Sequence, residues 1–202
     1  MSRLLPAAAR GRIEMVAIGA SAGGVEALLA LLGDLPAGFG PALVVVLHLP
    51  EGRHSRLAEL FGNRCRLPAR EAADKEAIAP STLYFAPPSY HLSIETDRTF
   101  SLSCEEPVHF SRPSIDVLMD SAADAYGARL AGIVLTGANM DGAAGLAKIK
   151  RLGGLTVVQK PAEALAAVMP QAAIDRCPPD LILNLKDIRS VLLEMGATNA
   201  ER

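Results

Sequence analysis

Ile13-Glu14-Met15-Val16-Ala17-Ile18-Gly19-Ala20-Ser21-Ala22-Gly23-Gly24 is the stretch whose reading decides the fold. Its apolar run, rich in Val and Ile, reads as a buried strand that stops at a glycine. After it, Val25, Leu28, Leu29 and Leu32 recur at helical spacing, so a helix follows. Between the two, Gly19, Gly23 and Gly24 mark a strand-to-helix turn too tight for ordinary side chains. Ser21 stands at the crest of that turn. Its hydroxyl is expected at the carboxyl edge of a sheet, beside the N–H groups of a helix start.

The same strand-then-helix pattern repeats along the chain. Residues 41–47 form a second apolar strand, which delivers His48 and Pro50 at its end. A helix over 53–62 and a mixed stretch over 66–79 with a short edge strand come next. Short strands over 83–86, 90–94 and 99–102, split by Pro87-Pro88 and Thr96-Asp97-Arg98, predict an antiparallel excursion at about residues 82–103. Pro113 opens a helix carrying Ile115, Leu118, Met119 and Ala122. A third buried strand, 130–135, runs into Thr136-Gly137-Ala138-Asn139-Met140-Asp141-Gly142. A helix over 143–152, a strand over 155–158, a helix around 171–175, a strand over 181–183 and a closing helix from Asp187 complete the pattern. Alternating strands and helices predict an α/β fold with a doubly wound, mostly parallel sheet. The expected organisation is a loose leader over 1–12 and one domain over 13–195, without repeat or linker.

Composition narrows the function classes. The chain has 202 residues, half of them apolar, enough for a sizeable core. Twenty basic and 22 acidic residues are interspersed and leave a net charge of −2, which argues against nucleic acid or an anionic membrane surface as main partner. Cys65, Cys104 and Cys177 are odd in number and widely spaced, as expected of reduced thiols. No Cys-x-x-Cys or His-x-x-His pair suggests a metal. No run approaches the roughly 18 apolar residues of a membrane span, and residues 1–12 lack the apolar core of a signal peptide. A cytoplasmic domain that does not insert into a membrane is the expectation.

Ligands of an open parallel sheet bind outside the carboxyl ends of its strands. Three such ends carry reactive residues here: Ser21, His48 and Asp141. A serine hydroxyl needs a base, an imidazole serves as one at neutral pH, and a carboxylate fixes the imidazole's tautomer. Each residue also has a plainer reading. Ser21 could cap a helix, His48 could be satisfied by backbone, and Asp141 could cap the helix that follows it. His54 and His109 lack partners nearby in sequence, and His91, in a strand of the excursion, reads as structural. Asp116 and Asp120 fit a solvated helix face, although Ser114 and Asp116 could line the cleft. A dinucleotide loop at 19–24 would need glycine where Ser21 stands, and an acidic residue about 20 positions on, where the chain has Leu47-His48-Leu49.

Together these motifs resemble the catalytic domain of the CheB-type protein-glutamate methylesterases, from about Val16 to Leu183. The resemblance rests on residues 19–24, Val46-Leu47-His48-Leu49-Pro50, Tyr84-Phe85-Ala86-Pro87-Pro88 with Tyr90-His91-Leu92, Arg112-Pro113-Ser114-Ile115-Asp116-Val117-Leu118, Leu135-Thr136-Gly137 with residues 141–146, and Met169-Pro170. It implies a triad of Ser21, His48 and Asp141, no cofactor, and hydrolysis of methyl esters, with deamidation of glutamines, on the cytoplasmic helices of chemoreceptors. The oxyanion is then expected on backbone N–H groups of Ala22 and Ala138. Asn139 stands where the family usually has glycine, which puts the shape of that turn in question. A receiver domain of the kind full-length members carry has no room in 202 residues. Regulation is therefore expected from a separate domain or protein. The competing expectation is a non-catalytic receptor- or partner-binding module on the same fold.

Overall fold

The structure, a computed structural model, describes residues 4–33, 35–49 and 55–200, with side chains to residue 196. Seven strands form one sheet in which every neighbouring pair is parallel. In spatial order they are Ala69–Glu71 (β3), Leu83–Phe85 (β4), Ala42–Leu47 (β2), Met15–Ala20 (β1), Leu130–Val134 (β7), Leu155–Gln159 (β8) and Leu181–Leu183 (β9). The chain thus starts in the middle, builds one half, with β4 inserted between β2 and the edge strand β3, and returns beside β1 to build the other half. Between β1 and β7 the winding reverses, and this is where an open sheet leaves a crevice at its carboxyl edge.

β1 and β2 are buried along their whole length, because helices cover both faces of the sheet. Val16, Ile18 and Ala20 pack into one core with Gly24–Leu32 (α1), Leu57–Gly62 (α2) and Leu185–Ala200 (α6). Met15 and Ala17 point to the other core, shared with Ile115–Tyr126 (α3), Ala143–Arg151 (α4) and Val168–Arg176 (α5). The expected helix at 53–62 is found as α2; the expected positions 50–54, His54 among them, lie outside the described residues.

Two expectations are corrected. The antiparallel excursion does not begin at residue 82, because β4 lies inside the parallel sheet between β2 and β3. Leu83 and Phe85 enter one core and Tyr84 the other, so this run is buried on both faces. The excursion is only the hairpin of His91–Ile94 (β5) and Phe100–Ser103 (β6), laid on α3 through Leu92, Ile94 and Phe100. The second correction concerns residues 4–12, which are docked rather than loose. Leu5 and Ala9 are buried, and the N–H groups of Leu4 and Leu5 donate to the Glu194 carboxylate at 2.9 and 3.1 Å. A carboxylate facing consecutive N–H groups holds a short turn as a cap holds a helix start. Residues 1–3 lie outside the described residues.

Among the described residues no helix is long and apolar enough to cross a membrane. Cys104 and Cys177 are free cysteines.

Candidate active site

Parallel register brings the three sequence-predicted strand ends to one edge. Ala20 of β1 stands opposite Leu47 of β2, and Gly19 opposite Val134 of β7. The next residues are stitched across the ends of the strands. His48 N–H donates to Ala20 C=O at 3.1 Å, and Ser21 N–H donates to Thr136 C=O at 2.9 Å. Ser21 therefore leaves the sheet between His48 and Thr136. Asp141 lies at the far end of the turn that follows β7, just before α4.

His48 and Asp141 meet: Nε2 of the ring is 2.9 Å from Oδ2 of the carboxylate. Asp141 is fully buried and receives three more hydrogen bonds, all from the start of α3. The Ser114 hydroxyl donates to Oδ1 at 2.8 Å, the Ile115 N–H to Oδ2 at 2.7 Å, and the Asp116 N–H to Oδ1 at 2.9 Å. Burial pushes the Asp141 pKa up, but the hydrogen bonds from His48, Asp116, Ile115 and Ser114 outweigh it and hold the carboxyl below its ordinary value. An ionised carboxylate can only accept, so Nε2 of His48 carries the proton and Nδ1 keeps its lone pair. That lone pair faces the Ser111 hydroxyl at 3.3 Å. Nothing in the sequence marks Ser111 for this place.

Asp141 is no cap of the helix that follows it. The N-cap of α4 is Gly142, without a side-chain hydrogen bond, and Asp141 instead seats α3. Ser21 is no cap either: the N-cap of α1 is Gly23, whose φ of 78° suits only glycine without strain. Among the described residues no partner engages the Ser21 hydroxyl, nor the backbone N–H of Ala22 or Ala138. Both alanines are exposed. The site so far consists of a free hydroxyl, uncommitted N–H donors, and an imidazole with one nitrogen fixed on a buried carboxylate. Such a set can take a proton from the hydroxyl and receive negative charge on the N–H groups.

The remaining candidates find other employment. His91 is buried, accepts the Ser114 N–H on Nδ1 at 3.2 Å and donates from Nε2 to the Glu106 carbonyl at 3.1 Å. It supports the loop entering α3. His109 lies 3.5 Å from Asp116, whose carboxylate accepts the Gly145 N–H at 2.7 Å. Burial is the largest influence on Asp116 and raises its pKa, with the nearby Asp141 charge adding to the rise. Asp120 pairs with Lys148 on an exposed helix face at 2.7 Å. Asn139 needs no left-handed backbone, since the positive φ of this turn falls on Gly142. Its side chain accepts the Asp141 N–H at 3.2 Å and donates to the His109 carbonyl at 3.3 Å, contacts a glycine there could not make. Among the described residues no cluster of His, Cys, Asp or Glu could hold a metal.

With this geometry in place, known proteins can be set beside it. The family model described as CheB methylesterase matches residues 16–192. A Leptospira interrogans protein, provisionally named protein-glutamate methylesterase/protein-glutamine glutaminase, is 44% identical over 189 residues, covering 94% of this chain and 98% of its own length. An Anaeromyxobacter dehalogenans protein-glutamate methylesterase/protein-glutamine glutaminase is 39% identical over 95% of this chain, which spans 54% of that protein. The crystal structure of the Thermotoga maritima CheB methylesterase catalytic domain superposes with a TM-score of 0.85 at 30% identity, covering 90% of this chain and 98% of that one.

Proposed function

The chain belongs to the CheB methylesterase family, and from that membership we propose that it hydrolyses glutamate methyl esters on chemoreceptor cytoplasmic helices. The same site would release ammonia from receptor glutamines, the second activity in its relatives' names. The observation that carries the reading is the 2.9 Å bond from His48 to Asp141 at the strand end beside an unengaged Ser21 hydroxyl. The proposed roles are Ser21 as nucleophile, His48 as base, Asp141 as the group orienting it, and Ala22 and Ala138 as oxyanion donors.

In this mechanism Ser21 Oγ attacks the ester carbonyl while its proton passes to Nδ1, the nitrogen of His48 that carries a lone pair. Negative charge moves to the carbonyl oxygen and is met by the free N–H groups; one such donor is commonly worth about 3 kcal/mol in the transition state. The proton then goes to the methoxy oxygen, methanol leaves, and an acyl-Ser21 remains. Water, deprotonated by the same nitrogen, attacks the acyl carbon and releases the glutamate carboxylate. Asp141 stays ionised throughout and stabilises the charged ring.

One observation favours a second reading: the hydroxyl 3.3 Å from Nδ1 belongs to Ser111. Ser111 would then be the nucleophile. Ser21 is preferred because the unengaged Ala22 N–H follows it directly and its turn opens onto the N-terminus of α1. Methanol release from a methylated receptor fragment by Ser21→Ala and Ser111→Ala separates the two. Loss confined to Ser21→Ala supports the reading, and loss confined to Ser111→Ala overturns it. Retention in both variants overturns both serines as nucleophile, and no release even by the parent chain would leave the non-catalytic binding module.

A further inference from the structure

We propose that Thr136 is a positioning residue that locks the two oxyanion donors into one rigid unit, an inference resting on the proposed roles of Ser21, Ala22 and Ala138. Thr136 is the second residue past β7, is buried, and touches the nucleophile turn on both sides of Ser21. Its carbonyl accepts the Ser21 N–H at 2.9 Å, and its hydroxyl donates to the Ala22 carbonyl at 2.8 Å. The two peptide groups flanking the Ser21–Ala22 bond are thereby pinned from one residue. The Ala22 N–H lies in the peptide between them, whose Ser21 carbonyl accepts the Gly24 N–H at 2.8 Å, so the two Thr136 contacts fix its neighbours while Gly24 holds its far side.

The hydroxyl has a second task. Having donated to Ala22, it accepts the Ala166 N–H at 2.9 Å, which uses its proton and one lone pair in opposite directions. Ala166 returns the contact, because its carbonyl accepts the Gly137 N–H at 3.0 Å. The Gly137 carbonyl in turn accepts the Met169 N–H at 2.9 Å, so Gly137 is held at both polar groups and the Ala138 N–H that follows it is aimed. A side chain at Gly137 has no room, since its Cβ would lie 2.5 Å from Met169 Cε. The Thr136 N–H is itself fixed, donating to the buried Gln159 Oε1 at 2.9 Å. Thr136 itself is 2% exposed. It acts through Ala22 and Ala138.

The requirement is for a hydroxyl that donates and accepts at once, which valine of equal shape cannot meet. Thr136→Val, Thr136→Ser and Ser21→Ala, compared with the unaltered chain, test this on a methylated receptor fragment and with a fluorophosphonate probe that phosphonylates Ser21. Misaligned donors are expected to lower kcat about tenfold or more in Thr136→Val. KM should stay within about twofold and the pH dependence of kcat/KM should be unmoved, since His48 and Asp141 are untouched. Phosphonylation should slow in step with kcat, and Thr136→Ser, which keeps the hydroxyl, should restore both to within about threefold. Should Thr136→Val not fold, Thr136→Cys, with a weak donor of similar size, is judged by the same drop in kcat. A folded variant without the hydroxyl whose kcat and phosphonylation rate are unchanged overturns the inference, as does failure of serine to rescue. If Ser21→Ala itself keeps hydrolysing, it is the reading of the site that has failed, not this inference alone.

Discussion

Asp141 Oδ2 receives the Ile115 backbone N–H at 2.7 Å and the His48 Nε2 proton at 2.9 Å, so one atom both seats α3 and orients the imidazole. The sequence leaves Asp141 to cap the helix after it or to face the imidazole; Gly142 is the N-cap of that helix, and the carboxylate meets His48 and the start of α3 instead. Asp141→Asn should therefore fail twice. An amide offers a single acceptor oxygen to a site with four donors, and an unpaired buried donor costs about 1–3 kcal/mol. A melting temperature lower by about 2–12 °C is expected for a chain of this size. Hydrolysis at pH 7 should fall about a hundredfold or more, the direction known from serine proteases in which asparagine stabilises the wrong tautomer. Calorimetry and methanol release on one preparation check both. A normal melt with lost activity would show that α3 does not depend on this carboxylate.

Ser21→Ala removes a hydroxyl that no described residue engages. Its melting temperature should stay within about 2 °C of the parent, surface-type losses being under about 0.5 kcal/mol. Turnover should fall by about three orders of magnitude or more, and adding His48→Ala should cost little further because the two act as a unit. Full multiplication of the two losses in steady-state kinetics would contradict a shared step.

Ser114 spends one hydroxyl on two partners, donating to Asp141 and accepting the Val117 N–H as the N-cap of α3. Ser114→Ala should lower stability at pH 7 by about 1–2 kcal/mol. The pH dependence follows from the lowered pKa of Asp141. That group contributes its full stability above the unfolded value near 3.8 and loses it as pH falls through the lower folded value. With one hydrogen bond fewer, the folded pKa of Asp141 rises towards the unfolded one. Urea titrations between neutral pH and pH 3 should then show a shallower acid loss in Ser114→Ala than in the parent.

Asp116 has the opposite sign. Burial raises its folded pKa, so the fold favours its protonated form; that contribution is present below the unfolded value and is lost as pH rises through the folded one. At pH 7 an ionised Asp116 is a half-buried charge beside Asp141, and Asp116→Asn keeps an oxygen for the Gly145 N–H. The variant should melt at or slightly above the parent's temperature at pH 7, with the difference shrinking in acid. Thermal scans at pH 7 and pH 4 measure it, and a lower melt at pH 7 would mean that the pairing with His109 outweighs burial.

What the sequence discloses and what it hides follow from reach along the chain. Ser21, His48 and Asp141 could be found because each follows an apolar run whose burial announces a strand, and strand ends share an edge. Ser111 and Thr136 send no such signal. Ser111 sits in a loop 63 positions from His48, and Thr136 meets Ala22 across 114 positions. A short polar residue in a turn looks the same whether it faces solvent or braces a catalytic peptide. β4 was misplaced for a related reason: three residues are too few for periodicity to separate a strand buried on both faces from one half exposed. Glu194 and the backbone of Leu4 and Leu5 lie 189–190 positions apart, beyond any local pattern, which is why residues 4–12 read as loose.

β1, β2 and β7, the strands that carry the three turns of the site, are buried from end to end. Their amide protons can meet solvent only when the whole sheet opens, so they should exchange at the rate of global unfolding. The active arrangement then has no private way to come apart. In a heating series, residual esterase activity and the exchange of Ile18, Val45 and Ile133 amides should be lost together, along one curve. An activity curve that falls several degrees before the exchange curve would mark a turn that loosens while its strand holds.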